Sequence, residues 1–239
     1  MSGPPCKLGG HVGAPHLKIL PLRRLRYATL EALLRRELVR DEHPATAALV
    51  RELAGVRARG AFTRAEFVRM CRWKSPRAVR LWRANSPARI GTVSRAVLAT
   101  RSERRRMELL TGLRGVGVPM ASAILTLIDP RRYGVLDIRA WQLLFAIHSV
   151  TANRRGQGFT IDQWEQYLAA LRLHARRLKV SARTVEYTLF ECHRKLQRGT
   201  LYPPPATTRT GRRPPGGGRG RALPSGSGRA RRRPAAGPE

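Results

Sequence analysis

The chain of 239 residues reads as all-α, and three observations carry that reading. Apolar residues recur at helical three-and-four spacing, and no segment sustains the period-two alternation of a strand. Ser or Thr followed by Pro, or by Glu or Gln three residues on, opens one stretch after another, as helix N-termini do. Hydrophobic residues make up 42% of the chain, enough for a sizeable core.

Residues 1–20 are rich in Gly and Pro and are expected to be a flexible N-terminus. Helical signals begin at Pro21, with Tyr27, Leu30, Leu34 and Leu38 on one face. A shorter helix is expected over Thr46–Val56, where Leu49, Leu53 and Val56 align. Thr63 and Glu66 have the spacing of a capping box ahead of Phe67 and Met70. Ser75-Pro76 and Ser86-Pro87 each set a capping hydroxyl before a proline at the first helical position. Ser102-Glu103 opens a helix that runs to Leu113, and Pro119–Ile128 is a compact apolar helix. A loop then starts at Asp129-Pro130 and ends at Asp137, where the strongly apolar, and so central, helix Ile138–Ile147 begins. After a polar loop at Asn153–Gly158, Thr160 and Gln163 form a second capping box. Trp164, Leu168, Leu171, Ala175 and Leu178 make the stripe behind it. Ser181 caps the last helix, with Val185, Leu189 and Leu196. From Tyr202 the composition turns to Pro, Gly, Ser and Arg, too poor in apolar residues to fold, so 21–201 is read as the helical domain and 202–239 as a disordered tail.

Charge narrows the partner. Lys and Arg number 47 against 15 Asp and Glu, a net of +32. The tail holds nine Arg and one acid, Glu239; removing its +8 leaves +24 on residues 1–201. Nucleic acid suits such a surface, because neutralising phosphates releases condensed counterions. GC-rich coding explains why Arg replaces Lys, but not why acids are scarce. Cys6, Cys71 and Cys192 stand far apart, which excludes a disulfide framework, a zinc ribbon and a four-cysteine iron–sulfur cluster. His148, His174 and His193 lack metal-ligand spacing. No apolar run approaches the ~18 residues of a membrane span, and the N-terminus has no apolar signal core. The expectation is a soluble, cytoplasmic, nucleoid-associated monomer with no membrane partner.

The richest segment is Leu113-Arg114-Gly115-Val116-Gly117-Val118-Pro119. Gly115 and Gly117 admit backbone angles closed to other residues and let a phosphate approach without a Cβ in the way. Backbone N–H groups over Arg114, Gly115, Val116, Gly117 and Met120 are candidates to grip that phosphate at a helix start. Leu113 and Val116 would anchor the turn in the core. Asp137 follows eighteen residues after Pro119 and opens the next helix. It is a candidate catalytic carboxylate and equally an N-cap, and the two roles are compatible. Asp129, the competing acid, suits a turn better.

Leu113–Ala121 resembles the helix-hairpin-helix of the HhH-GPD superfamily of base-excision DNA glycosylases, whose pattern is Leu-x-Gly-Val-Gly-x-x-x-Ala. Val135-Leu136-Asp137-Ile138-Arg139 falls where that family places its catalytic Asp. The resemblance spans roughly 22–200, with specific motifs in 113–139. It implies two helical subdomains flanking a DNA cleft, the N- and C-terminal helices packed together in one of them, and a hairpin over 103–128. It further implies double-stranded DNA as partner and hydrolysis of the glycosidic bond of a flipped base, with Asp137 stabilising the sugar cation and orienting water. A monovalent cation on the carbonyls of Leu113 and Gly115 would bridge to phosphate. The chain departs from the family at Pro119, which stands where bifunctional members carry a Schiff-base lysine. The resemblance therefore implies a monofunctional, bacterial-type member with neither that lysine nor an iron–sulfur cluster.

Trp73-Lys74-Ser75-Pro76-Arg77 falls where such proteins present pocket residues. Trp73 is a stacking platform or, more simply, a core residue, and Lys74 and Arg77 face the cleft or merely solvent. Tyr133 would line the pocket or pack on the hairpin, and Arg139 would pair with Asp137 or with phosphate. Arg104, Arg105 and Arg106 are plausible phosphate contacts, and Trp82, Trp141 and Trp164 are expected in the core. Two other readings remain: a catalytically silent hairpin module for repair or chromosome maintenance, and an RNA- or ribosome-associated protein.

Overall fold

The computed structural model describes residues 26–198 and Leu201; the expected flexible N-terminus, Pro21 and the basic tail lie outside the described residues. Within them the chain is all-α, without a strand. The helices are α1 Leu30–Glu37, α2 Pro44–Glu52, α3 Val56–Arg59, α4 Arg64–Lys74, α5 Val79–Arg83, α6 Pro87–Ala99, α7 Glu103–Thr111, α8 Val118–Ile128, α9 Ile138–Ala146, α10 Ile161–Leu178 and α11 Ala182–Leu196.

Most helix ends follow from capping chemistry. Thr63 and Thr160 close full capping boxes with Glu66 and Gln163. Ser86, Ser102 and Ser181 each accept an N–H from the first turn of the helix they open. Three starts differ from expectation. The first helix begins after Thr29, its N-cap, so Tyr27 precedes it and instead donates its hydroxyl to Glu37 at 2.6 Å. The stretch expected as one helix to Val56 breaks into α2 and α3 around Gly55, a residue with weak helix propensity. Ser75 terminates α4 rather than opening a helix: its N–H donates to the Cys71 carbonyl, its hydroxyl accepts from Arg77 N, and α5 starts at Val79.

The core is centred on α8, in which every residue from Met120 to Ile128 is buried. Helices α4, α7, α2 and α10 pack around it, α6 packs on α7, and α5 on α4. Helix α11 gathers α9, α10 and α1. Trp82, Trp141 and Trp164 are fully buried, as expected. Glu103, at the start of α7, ties three elements together. It accepts from Arg172 of α10 at 2.7 Å, from Arg132 and the Tyr133 hydroxyl of the loop before α9 at 2.8 Å each, and from Arg106 at 3.2 Å. Burial opposes the charge of Glu103, but the Arg172 and Tyr133 hydrogen bonds outweigh it and keep the carboxyl below its usual range.

Candidate functional site

The turn between α7 and α8 is shaped by its neighbours. Leu113 and Val116 are buried and hold it to the core. Gly115 sits at φ +75°, and a Cβ there would come within 2.7 Å of Leu81 Cβ and 2.9 Å of Trp82 N. Glycine is thus required both for conformation and for close approach to α5. The buried Asn85 clamps the next peptide: its Oδ1 accepts from Arg114 N at 2.9 Å and its Nδ2 donates to the Arg114 carbonyl at 3.0 Å. Arg89 donates to the Gly112 carbonyl at 2.7 Å.

This framework sorts the five expected phosphate-gripping positions. The N–H groups of Arg114 and Val116 are spent internally, the first on Asn85 and the second on the Leu113 carbonyl at 3.2 Å. These two amides are corrected from the expectation, although the Arg114 side chain stays exposed. Gly117 is the exposed N-cap of α8, makes no side-chain cap, and has ordinary angles; a Cβ there would meet Pro119 Cδ at 3.9 Å and nothing closer. Its space is open on the outer side. Met120 is buried, but its N–H belongs to the first turn, where a helix has no internal acceptor.

Asp137 is the N-cap of α9, its Oδ1 accepting from Arg139 N at 2.8 Å. Its other oxygen takes a 2.9 Å ion pair from Lys74 Nζ, at the last residue of α4. The two side chains are 19% and 18% exposed, covered on most sides yet open to approach. Burial works against the charge of Asp137, but the Lys74 ammonium and the Arg139 N–H prevail, so the carboxyl titrates below its ordinary value. It is an anion at neutral pH.

Lys74 and Asp137 stand between two cavities. One, of about 320 Å³, opens between α4 and α11 and is walled by Trp73, Tyr187 and Phe190, with Arg183 and Glu186 behind. The other, of about 300 Å³, is bounded by Pro119 of the hairpin, Ile138 and the loop Gly156–Phe159. The hairpin and the acid therefore share one cavity through Pro119. Gly156, at φ +65°, lies so close to Ile138 that a Cβ would meet its carbonyl oxygen at 3.3 Å.

A buried charge relay backs the larger cavity. Arg183 bonds both oxygens of Glu42, at 2.6 and 2.9 Å, and also Glu186. Its guanidinium lies over the rings of Trp73 and Tyr187, 5.7 and 4.9 Å from their centroids. Glu186 accepts from Val135 N at 3.2 Å, two residues ahead of Asp137. A Cβ on Gly134 would stand 2.7 Å from Glu186 Cβ, so glycine is needed where this loop crosses α11. Burial raises the Glu186 carboxyl despite Arg183. Glu42, Arg183 and Glu186 belong to no motif in the sequence. Glu186 was detectable as a carboxylate inside the apolar face of Ala182, Val185 and Leu189, whereas Asn85 and Glu42 carry no local signal.

The other expected residues divide. Trp73 is half-buried: its indole donates to Thr46 at 3.1 Å while its ring lines the larger cavity. Tyr133 is placed away from Asp137, buried against Trp164 and bonded to Glu103 at the start of the hairpin's first helix. Arg139 bonds Gln197 and lies 5.6 Å over the Phe190 ring, and its charge helps to hold the Asp137 carboxyl low. Arg77 is exposed in the turn after α4 and lines neither cavity. Arg104 joins Asp162 and Glu165, Arg105 joins Glu108 and Arg106 joins Glu103; the first two side chains stay about half exposed, and Arg106 is buried. Asp129 caps the end of α8 and pairs with Arg57 at 2.8 Å, the turn role expected of it.

Among the described residues no group of three or more His, Cys, Asp or Glu is arranged to hold a metal ion. No described helix is long and apolar enough to cross a membrane. The chain matches no protein-family model, no curated protein and no solved structure.

Proposed function

We propose that this chain binds double-stranded DNA through the hairpin and hydrolyses the N-glycosidic bond of a flipped base at Asp137. The observation that carries the reading is the shared cavity: Pro119 at the start of the hairpin's second helix and the ionised Asp137 line the same space. A backbone held at the hairpin would deliver its nucleotide to the acid. The N–H groups at Gly117 and Met120 and the exposed Arg114 take the phosphate. A monovalent cation would share the Leu113 carbonyl with the Val116 N–H and add the Gly115 carbonyl. The larger cavity has the size of a small-molecule site and an aromatic wall in Trp73 and Tyr187 for an extruded base. Asp137, anionic and within a partly buried site, stabilises the sugar cation as the bond breaks and orients the attacking water.

The test is release of free base from duplexes carrying a panel of lesions. Wild type is expected to release at least one, and Asp137→Asn to lower the rate by about 100-fold or more while binding DNA as before. Equal binding with no release by either protein would mean a silent DNA-binding module. Preference for single-stranded RNA would remove the reading altogether.

A further inference from the structure

The polar loop after α9 repeats the construction of the hairpin turn at the border of the same cavity. In the hairpin, Asn85 bonds both the N–H and the carbonyl of Arg114, beside Gly115-Val116-Gly117. In the loop, Asn153 treats Gln157 alike, accepting from its N–H at 3.3 Å and donating to its carbonyl at 2.9 Å. Gln157 is the centre of a second Gly-x-Gly, Gly156-Gln157-Gly158. Each turn holds glycine in the left-handed region, Gly115 at φ +75°, Gly156 at +65° and Gly158 at +60°. Each carries exposed arginine, Arg114 in the first and Arg154 with Arg155 in the second. Neither contains an acid: residues 149–161 have none, and Arg154 and Arg155 make no ion pair among the described residues. Pro119 of the hairpin and Gly156–Phe159 of the loop both line the cavity of about 300 Å³ that contains Asp137.

The loop is built to hold its shape. The Trp141 indole and the Gly156 N–H donate to the Asn153 carbonyl at 2.9 and 2.8 Å, and Gln142 donates to the Arg155 carbonyl at 3.1 Å. Asn153 stands at φ +52°, a conformation that a residue with a side chain keeps only where its surroundings fix it. A Cβ on Gly158 would meet nothing within 4 Å, so the outer face of the turn is open. We infer that this loop is a second phosphate clamp, which grips the strand on the flank of the target nucleotide opposite the one held by the hairpin. The inference rests on the DNA-binding glycosylase reading above. Arg154 and Arg155 supply the charge and the paired donors, and the fixed turn supplies their position. The substrate is then an internal nucleotide with a phosphodiester on each side, because a terminal nucleotide or a free nucleoside offers only one grip or none.

The experiment measures the affinity of the full chain for duplexes with one tetrahydrofuran abasic analogue at the centre, which fixes the register. Flanking phosphates are replaced one at a time by uncharged methylphosphonate. Wild type is expected to lose about tenfold in affinity at one position on each side of the analogue. Arg154→Gln/Arg155→Gln, which removes only exposed charge, is expected to lose the response on one side and keep it on the other. Its log–log salt dependence should be shallower by about 1 to 2. Arg176→Gln/Lys179→Gln removes the same charge from exposed positions at the far end of α10 and should keep both responses. A response on one side only or on neither, both responses kept without Arg154 and Arg155, or the same loss in the α10 variant overturns the clamp. The two readings fail separately. A two-sided pattern in a protein that releases no lesion base keeps the clamp and removes the catalysis, whereas base release with a one-sided pattern does the reverse.

Discussion

The hairpin turn and the Asp137 site meet at one cavity, yet they are held by opposite means. The turn is fixed mainly by uncharged groups, the amide of Asn85 on Arg114 and the missing Cβ of Gly115 against Leu81, with one bond from Arg89 to the Gly112 carbonyl. The acid site is fixed by paired charge: Lys74 on Asp137, and Arg183 between Glu42 and Glu186. The difference shows how a chain with few acids uses them. Among the described residues every acid except Asp41 is drawn into an ion pair, and the most buried pairs sit around Asp137 and at Glu103. Acids therefore mark the joints of the fold. The turn from Gly112 to Val118 contains none, so no resident carboxylate competes with a phosphate there.

Breaking the charged side of this comparison is expected to cost most. Glu186→Ala removes one partner of a buried pair and the acceptor of Val135 N–H, a loss of about 3 kcal/mol in chemical denaturation. On the neutral side, Gly115→Ala must adopt φ +75° and push Leu81 and Trp82 apart, at about 2 kcal/mol. Asn85→Ala, which strands the Arg114 N–H and carbonyl, costs about 2 kcal/mol or slightly less.

Acid separates the two regions by shape rather than size. Burial and the nearby Arg139 push His193, at the back of α9, from 6.5 down to about 4. The unfolded chain binds that proton more readily, so this contribution to stability is full above pH 6.5 and is lost as pH falls toward 4. Asp137 and Glu103, both held below their ordinary values, add a further loss below about pH 4. His193→Asn should flatten the stability curve between pH 6.5 and 4. Asn85→Ala should lower the whole curve without changing its shape, since the turn it supports holds no group that titrates there. The smallest effect on stability belongs to Gly117→Ala, within about 0.5 kcal/mol, because its angles are ordinary and its space is open. The same methyl group, standing where a phosphate would approach, is expected to weaken duplex binding several-fold. Unchanged affinity by titration would place the DNA contact elsewhere.

Much of this arrangement was legible in the residues. The capping boxes at Thr63 and Thr160, the caps at Ser86, Ser102 and Ser181, the buried stripe of α10 and the N-cap role of Asp137 all rest on groups within a few positions of one another. Ser75 misled because Ser-Pro supports a turn as readily as a helix start, and nothing local says that α4 ends there. The partners of Tyr133 and Arg104, Glu103 in one case and Asp162 with Glu165 in the other, carry no local signal because they lie tens of residues away.

The sequence by itself determined the helices, their core faces, the hairpin turn and an acid at the start of α9, because those depend on hydrogen bonds and periodicities of a few residues. Only the tertiary structure decided which cations are spent and which acids are held. In a chain so rich in arginine almost any acid has a candidate partner, and packing alone selects one. It set Lys74 on Asp137 across 63 positions and Asn85 on Arg114 across 29. It also buried Glu186 beneath the loop that carries the acid, so that the hairpin and Asp137 face one cavity.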